Sequence, residues 1–456
     1  MHFASSATSL VGTLRDRRQK LAKLVNFPVV LWSGATISRN FAANTFPFRA
    51  SSHFLYFAGL PLENAAIRLE DGKLQLFMDD APDSSTLWHG ETAKREEVAE
   101  IIGADVAYPL TGLKFNVYKS ATIPVQNIVT REWQSKLLQR KASLEGIDFK
   151  LAKAIAQLRL THDDAAIEEL KKAAAVTVKA HKAGMTATKN AKSEAEVRAA
   201  MEQVIIANNM SCAYSSIVTV RGEVLHNNHY DNLLQPGDLL LADVGAETST
   251  GWAADVTRTW AVSGKFSSTQ QDIYDVVLAA HDACIAKICP SVEYQDIHLL
   301  AATIIAQGLV DLGILRGIPE DLVAMDAHAL FFPHGVGHLL GLDVHDMEDL
   351  GDIAGYEEGR TRSDRFGLCY LRLNRPLRAK MLVTIEPGFY QVPAVLNNPD
   401  TRAKYQDVVK WEQLAKFADV RGIRIEDDVL VTENGSEVLT EALPTSEDAI
   451  ANLVNE

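Results

Sequence analysis

The sequence predicts a two-domain protein, an α/β domain followed by an α+β domain, on three observations. The chain has 456 residues, 47% of them hydrophobic, which is enough to bury two ordinary cores. Short apolar runs separated by Gly and Pro turns give way to helical texture before residue 160. Beyond that point helices followed by strands occur twice, which points to two related halves within the second domain.

In the first domain, placed at 1–158, strands are expected at 29–32, 54–57 and 74–78, and helices at 132–142 and 148–158. The opening segment, 1–23, mixes Ser, Thr and Arg without an apolar core of seven or more residues, so neither a secretory signal nor a membrane span is expected there. Thr161 followed by Asp163 and Asp164 reads as the cap of a long helix to about residue 183, opening the second domain, 159–456. A second helix follows Glu194 to about residue 208, and Gln235-Pro236-Gly237-Asp238 is a turn that opens a strand at 239–244. After a loop, a second apolar run at 252–262 completes a β-hairpin. Helices are expected at 268–288 and 295–312, then strands at 331–340, 381–390 and 423–431.

The net charge is -14, and no lysine or arginine block is long enough to track a phosphate backbone. Nucleic acid and anionic membranes are therefore excluded as partners, leaving small solutes, peptides and proteins. Of the cysteines, Cys212, Cys284, Cys289 and Cys369, only Cys284 and Cys289 lie close in sequence, on an apolar helix face with no second pair to complete a metal clip. Reduced thiols in a cytoplasmic protein are expected.

The chemistry-bearing residues lie in the second domain. Leu239-Leu240-Leu241-Ala242-Asp243-Val244-Gly245 ends an apolar strand on a carboxylate, and Ala253-Ala254-Asp255-Val256-Thr257-Arg258-Thr259 sets a second one inside another apolar run. Such a carboxylate loses several kcal/mol of solvation unless it binds a cation or a partner. Either Asp alone is explained as a turn residue or a salt bridge to Arg258; two on one hairpin point to a cation site. Pro333-His334-Gly335-Val336-Gly337-His338 has the spacing of a zinc motif, but its glycines argue against a helix, so the two imidazoles need not share a metal. His345 follows in Gly341-Leu342-Asp343-Val344-His345-Asp346. Glu386 ends a β-branched strand before Pro387-Gly388, and Glu426 sits in Arg424-Ile425-Glu426-Asp427-Asp428, where alternation puts Arg424 on its face. Four carboxylates and an imidazole, Asp243, Asp255, Glu386, Glu426 and His338, suit two divalent cations sharing an oxygen nucleophile.

These blocks, together with Val224-Leu225-His226, make the chain resemble the pita-bread metallopeptidases, in particular the proline-directed branch of aminopeptidase P and prolidase. The resemblance covers about residue 160 to the C-terminus and rests on the blocks occurring together and in the family's order. A softer match, Phe48-Arg49-Ala50-Ser51-Ser52-His53-Phe54-Leu55-Tyr56-Phe57-Ala58-Gly59 and Leu87-Trp88-His89-Gly90, is similar to the α/β domain that precedes the catalytic domain in these peptidases.

The resemblance implies a curved antiparallel sheet covered by helices in pseudo-twofold halves, and hydrolysis of the bond preceding a proline in second position. It implies that Asp243 chelates one metal, Asp255 and Glu426 bridge both, and His338 and Glu386 complete the second, with Mn²⁺ favoured by the mainly oxygen donor set. Glu386 would move protons, His345 and His226 would hydrogen-bond the substrate carbonyl and intermediate, and His334 and Tyr390 would border the proline ring. Trp88 matches an aromatic that reaches the neighbouring subunit's site in family homodimers or homotetramers. Two departures stand out. The loop between Asp243 and Asp255 is a residue longer than usual, and the segment 347–380 carries Leu371-Arg372-Leu373-Asn374-Arg375, which is similar to a prolidase feature that sets an arginine on the dipeptide carboxylate. Cleavage of longer Xaa-Pro peptides is the expected activity, with dipeptides alone as the alternative. Another hydrolase on the same fold, or a metal-free binding module, is the remaining reading; the second of these is opposed by the presence of all five ligands.

Overall fold

The computed structural model describes residues 7–456. The chain divides into two compact units, one ending at Leu160 and one running from Thr161 to Glu456.

The first unit is built on a four-stranded sheet in which Ala66–Glu70 pairs antiparallel with both Val29–Trp32 and Lys73–Phe77, and Val106–Tyr108 adds in parallel to the last of these. Two features differ from expectation. Residues 54–57 are not a strand but part of the helix Ser52–Ala58, whose seven residues are all buried. A short run that is apolar all round shows neither helical nor strand periodicity, and the structure decides by ending it at Gly59, whose φ of +73° serves as a left-handed cap. The helix Ala7–Leu24 was hidden for the opposite reason. Its inward face carries Arg17 and Arg18 beside Leu14 and Leu21, and Arg18 donates to the buried carbonyls of Phe57, Ile102 and Gly103. The helix expected at 132–142 lies earlier, at Ile128–Leu138, because Asn127 accepts from Thr130 N at 2.9 Å and caps it there.

In the second unit Asp163 caps Asp164–Thr188 through Ala166 N, and this helix packs with Glu194–Ala207 over an antiparallel sheet. The sheet has Leu239–Asp243 at its centre, with Ile217–Thr219 and Thr257–Ala261 on either side. Leu240, Ala242 and Trp260 join Met185, Val197, Met201 and Ile205 in the core beneath the helices. Alternation then turns Leu241, Asp243, Thr257 and Thr259 to the other face, in the register Thr257↔Asp243 and Thr259↔Leu241.

The pattern repeats with helices Ser268–Lys287 and Tyr294–Asp311, followed by an antiparallel sheet of Leu382–Ile385, Asp427–Val431 and Ser436–Val438. Ser267 and Gln270 form a capping box at the first of these helices. Gly388–Tyr390 pairs with Gly422–Arg424, and Glu426 N donates to Thr257 O at 3.0 Å, tying the two sheets together. Residues 331–340 do not form the expected strand. They run as a loop along Leu382–Ile385, held by Thr384 N donating to His338 O at 3.0 Å and Glu386 N to Val336 O at 2.8 Å. Gly337 permits this approach, since a Cβ there would fall 2.1 Å from the Thr384 carbonyl oxygen. No helix among the described residues is long and apolar enough to cross a membrane.

Candidate metal centre

Three ligand residues converge most tightly. Asp255, His338 and Glu426, all buried, each bring a ligand atom within 4.8 Å of the other two. Asp255 precedes its strand by two residues and so shares a face with Thr257 and its partner Asp243. The Tyr214 hydroxyl lies 2.5 Å from Oδ1 of Asp243 and 2.5 Å from Oδ1 of Asp255, joining the two carboxylates. Glu386 completes the group, its Oε1 3.6 Å from His338 Nε2 and its Oε2 3.8 Å from His334 Nδ1.

The surroundings prepare these groups for cations. His338 Nδ1 lies 3.0 Å from Leu339 O, which assigns it the ring proton and leaves the Nε2 lone pair toward Asp255 Oδ2 at 3.3 Å. Thr257 Oγ1 donates to Glu426 Oε2 at 2.7 Å, whereas Glu426 Oε1 is buried without a hydrogen-bond partner. An orphaned carboxylate oxygen beside an unprotonated imidazole nitrogen fits a metal ion. Burial and the charge of Asp243 push Asp255 up to about 8, and burial pushes Glu386 up to about 7. Burial and the neighbouring Asp255 raise Glu426 well above the usual carboxylate range. Such carboxylates take up protons when no other cation balances them.

Arg424 makes its direct ion pair with Asp243 and reaches Glu426 through Thr257. The chain leaves the strand after Arg424, and the guanidinium reaches Asp243 Oδ2 from Nη2 at 2.6 Å, Thr257 Oγ1 from Nε and Tyr390 OH from Nη1, each of the latter at 3.0 Å. Arg258 faces the opposite side and pairs with Asp427 at 2.8 Å, where His281 also reaches Asp427 at 3.0 Å. It serves neither Asp243 nor Asp255 directly. Behind Asp255, its backbone N–H donates to Asp428 Oδ1 at 3.2 Å.

A cavity of ≈ 300 Å³ opens over these carboxylates. All five of the residues expected to hold metal line it, and so do His226, His334, His345 and Arg372. His334 Nδ1 faces Gly335 O at 2.8 Å and its Nε2 faces Tyr390 OH at 2.8 Å, which assigns the ring proton to Nδ1 and lets Nε2 accept from Tyr390. Burial and the charge of Arg424 lower its pKa to about 3. Tyr390 itself is fully buried, its hydroxyl taken up by His334 and Arg424 rather than lining the cavity. His345 meets His338 edge to face with ring centroids 4.3 Å apart, and burial lowers the pKa of both rings; burial does the same to His226. Trp88 lies in the first unit on the short helix Thr86–His89, 79% exposed.

Sequence reasoning missed Tyr214, Thr257, Asp428 and Glu348. Gly245 offered a signal for the first, since a Cβ there would lie 2.9 Å from the Tyr214 ring and 1.8 Å from Ala254 O. The others follow strand alternation or loop geometry that only the fold supplies.

Comparison with known proteins places these residues in context. Residues 168–433 match the model of metallopeptidase family M24, and residues 14–123 match that of the aminopeptidase P N-terminal domain. The chain is 32% identical over 413 residues to a probable Xaa-Pro aminopeptidase of Tuber melanosporum, covering 89% of this chain and 86% of that one. It is 31% identical over 436 residues to the Xaa-Pro dipeptidase of Homo sapiens, covering 90% and 85%. Among solved structures, aminopeptidase P from E. coli with the inhibitor Pro-Leu superposes with a TM-score of 0.79 at 25% identity over 98% of both chains. Aminopeptidase PepP of Pseudomonas aeruginosa gives 0.79 at 27% over the same coverage.

Proposed function

The chain belongs to metallopeptidase family M24, and from that premise we propose that it is a Xaa-Pro aminopeptidase, hydrolysing the bond between an N-terminal residue and a proline in second position. The observation that carries the proposal is the gathering of Asp243, Asp255, His338, Glu386 and Glu426 around one cavity with His226, His334 and His345. At ≈ 300 Å³ the cavity is of a size for the end of a peptide rather than a folded protein. The target bond is tertiary and lacks an N–H, so cleavage needs a strongly polarised carbonyl and a shaped pocket for the ring.

Asp243, Asp255, His338, Glu386 and Glu426 are assigned as the residues that hold two divalent cations, whose four carboxylate charges balance them; the oxygen-rich donor set favours Mn²⁺. When bound, such cations polarise the scissile carbonyl and lower the pKa of an attacking water. His226 is assigned to hydrogen-bond the carbonyl oxygen as charge develops on it, and His345 to do so as the imidazolium, its Nδ1–H held by Glu348 and its Nε2–H free to donate. Glu386, reaching into the cavity beside His338, carries the proton to the proline nitrogen as it leaves. His334, kept neutral by burial and the charge of Arg424, borders the ring without presenting a charge to it.

We assign the protein to the cytoplasm on its four free cysteines, and a homodimer or homotetramer on the exposed Trp88. Mn²⁺-loaded protein assayed on Xaa-Pro-Xaa and Xaa-Pro, with elemental analysis of the same sample, tests the reading. Release of the N-terminal residue, loss of activity with chelator and two metals per chain are expected. No release from either substrate would overturn the activity, and full activity with one metal would overturn the dinuclear site.

A further inference from the structure

Both oxygens of Glu348 are engaged by side chains that line the metal cavity. Oε2 lies 3.1 Å from His345 Nδ1, and Oε1 forms an ion pair with Arg372 Nη1. Glu348 does not line that cavity itself; with His338, His345, Arg362 and Arg372 it borders an adjoining smaller cleft, and so backs the two residues it holds. Its placement depends on Met347, which is buried and adopts a left-handed φ of +63°, a conformation costly for a side chain of that size. The chain thereby turns back so that Glu348 lies beneath His345, three residues earlier. Burial raises the Glu348 pKa, but the hydrogen bond from His345 and the charge of Arg372 outweigh it and hold the group at about 2, so it is an anion at any working pH.

Among the described residues, Arg372 and Arg424 are the two guanidinium groups that line the cavity. Arg424 is committed through Nε, Nη1 and Nη2 to Thr257, Tyr390 and Asp243. Arg372 is thus the group on which a substrate carboxylate can settle, and Glu348 already holds one end of it. We propose that Glu348 is a specificity-determining residue that sets peptide length: by pairing with Arg372 it weakens that guanidinium's hold on the free carboxylate of an Xaa-Pro dipeptide and tilts the site toward peptides that continue beyond proline. The inference rests on the Xaa-Pro reading of the site. A dipeptide carboxylate on the remaining edge of Arg372 is repelled by Glu348 across the width of one guanidinium. A longer peptide presents a neutral amide there and feels little of either charge.

The test compares Ala-Pro with Ala-Pro-NH2, which differ in the carboxylate alone, on wild type, Glu348→Gln, Glu348→Asp, Arg372→Ala and the Glu348→Gln/Arg372→Ala double variant. The readout is the ratio of kcat/KM for acid over amide, in which any loss from releasing His345 cancels. For Glu348→Gln the ratio is expected to rise about tenfold through KM, the scale of one like-charge interaction at the edge of a solvated cavity. Glu348→Asp, which keeps the charge, is expected to hold the wild-type ratio, and the effect of Glu348→Gln on the ratio to shrink severalfold once Arg372 no longer holds the carboxylate beside it. An unchanged ratio in folded, metal-replete Glu348→Gln overturns the proposal, as does a rise that persists undiminished without Arg372. Wild type that cleaves neither compound, nor Ala-Pro-Ala, would instead overturn the Xaa-Pro reading, so the two failures are distinguishable.

Discussion

Arg424 and Asp243, 181 residues apart in sequence, are joined side chain to side chain, Nη2 to Oδ2 at 2.6 Å, with both groups buried. This is the direct cationic partner of a carboxylate set that otherwise repels itself. Removing one partner of a buried pair costs about 3–5 kcal/mol. Arg424→Ala is therefore expected to lower stability by that order in chelator and by clearly less with excess Mn²⁺, because bound cations supply the missing charge. Denaturant unfolding in the two conditions measures it; equal losses would show that Arg424 contributes packing rather than charge balance.

The same carboxylates give the metal-free protein a pH dependence of definite sign. Asp255, pushed up from 3.8 to about 8 by burial and Asp243, and Glu386, pushed up from 4.5 to about 7 by burial, bind protons more tightly folded than unfolded. Their contribution is complete below the unfolded values and is lost as pH rises through the folded ones. Metal-free protein is expected to lose thermal stability between about pH 5 and 8, while the stabilisation by Mn²⁺ grows across the same interval as metal replaces protons. Tm recorded with EDTA and with Mn²⁺ across that range checks this. A gap independent of pH would place the cations elsewhere.

His345 packs on His338 yet does not belong to the trio whose ligand atoms converge. If it stabilises charge on the substrate, His345→Ala lowers kcat by about 10² or more, the usual result of losing one such donor, with metal content at wild type. Steady-state kinetics beside elemental analysis separates the roles. Loss of metal in the variant would show that His345 supports the cluster instead.

Much of the site was legible because each ligand is a local contradiction. A carboxylate closing the run Leu239-Leu240-Leu241-Ala242, or a glutamate between a β-branched strand and Pro387-Gly388, has no cheap place in a core, and a single sequence displays that conflict. The hairpin was readable for a similar reason, since its apolar runs and its Pro-Gly turn are local signals. Where local signals conflict or vanish, the reading failed. Residues 54–57 are buried on every side, so periodicity could not separate helix from strand. Residues 331–340 are apolar enough for a strand but carry Gly337, which lets a loop approach Thr384.

The sequence by itself determined which carboxylates are buried against the cost of burial, Asp243, Asp255 and Glu426 among them, since composition along a few residues shows a charge placed where water is absent. Only the tertiary structure decided who partners whom. Alternation put Arg424 beside Glu426, but the chain leaves the strand between them and the guanidinium goes to Asp243. Tyr214 meets Asp243 and Asp255 across separations of 29 and 41 residues, and Arg372 meets Glu348 across 24. Burial is written in short-range pattern, whereas these pairings depend on how two sheets and a left-handed turn at Met347 bring distant backbone together, a geometry set by the packing of the whole unit.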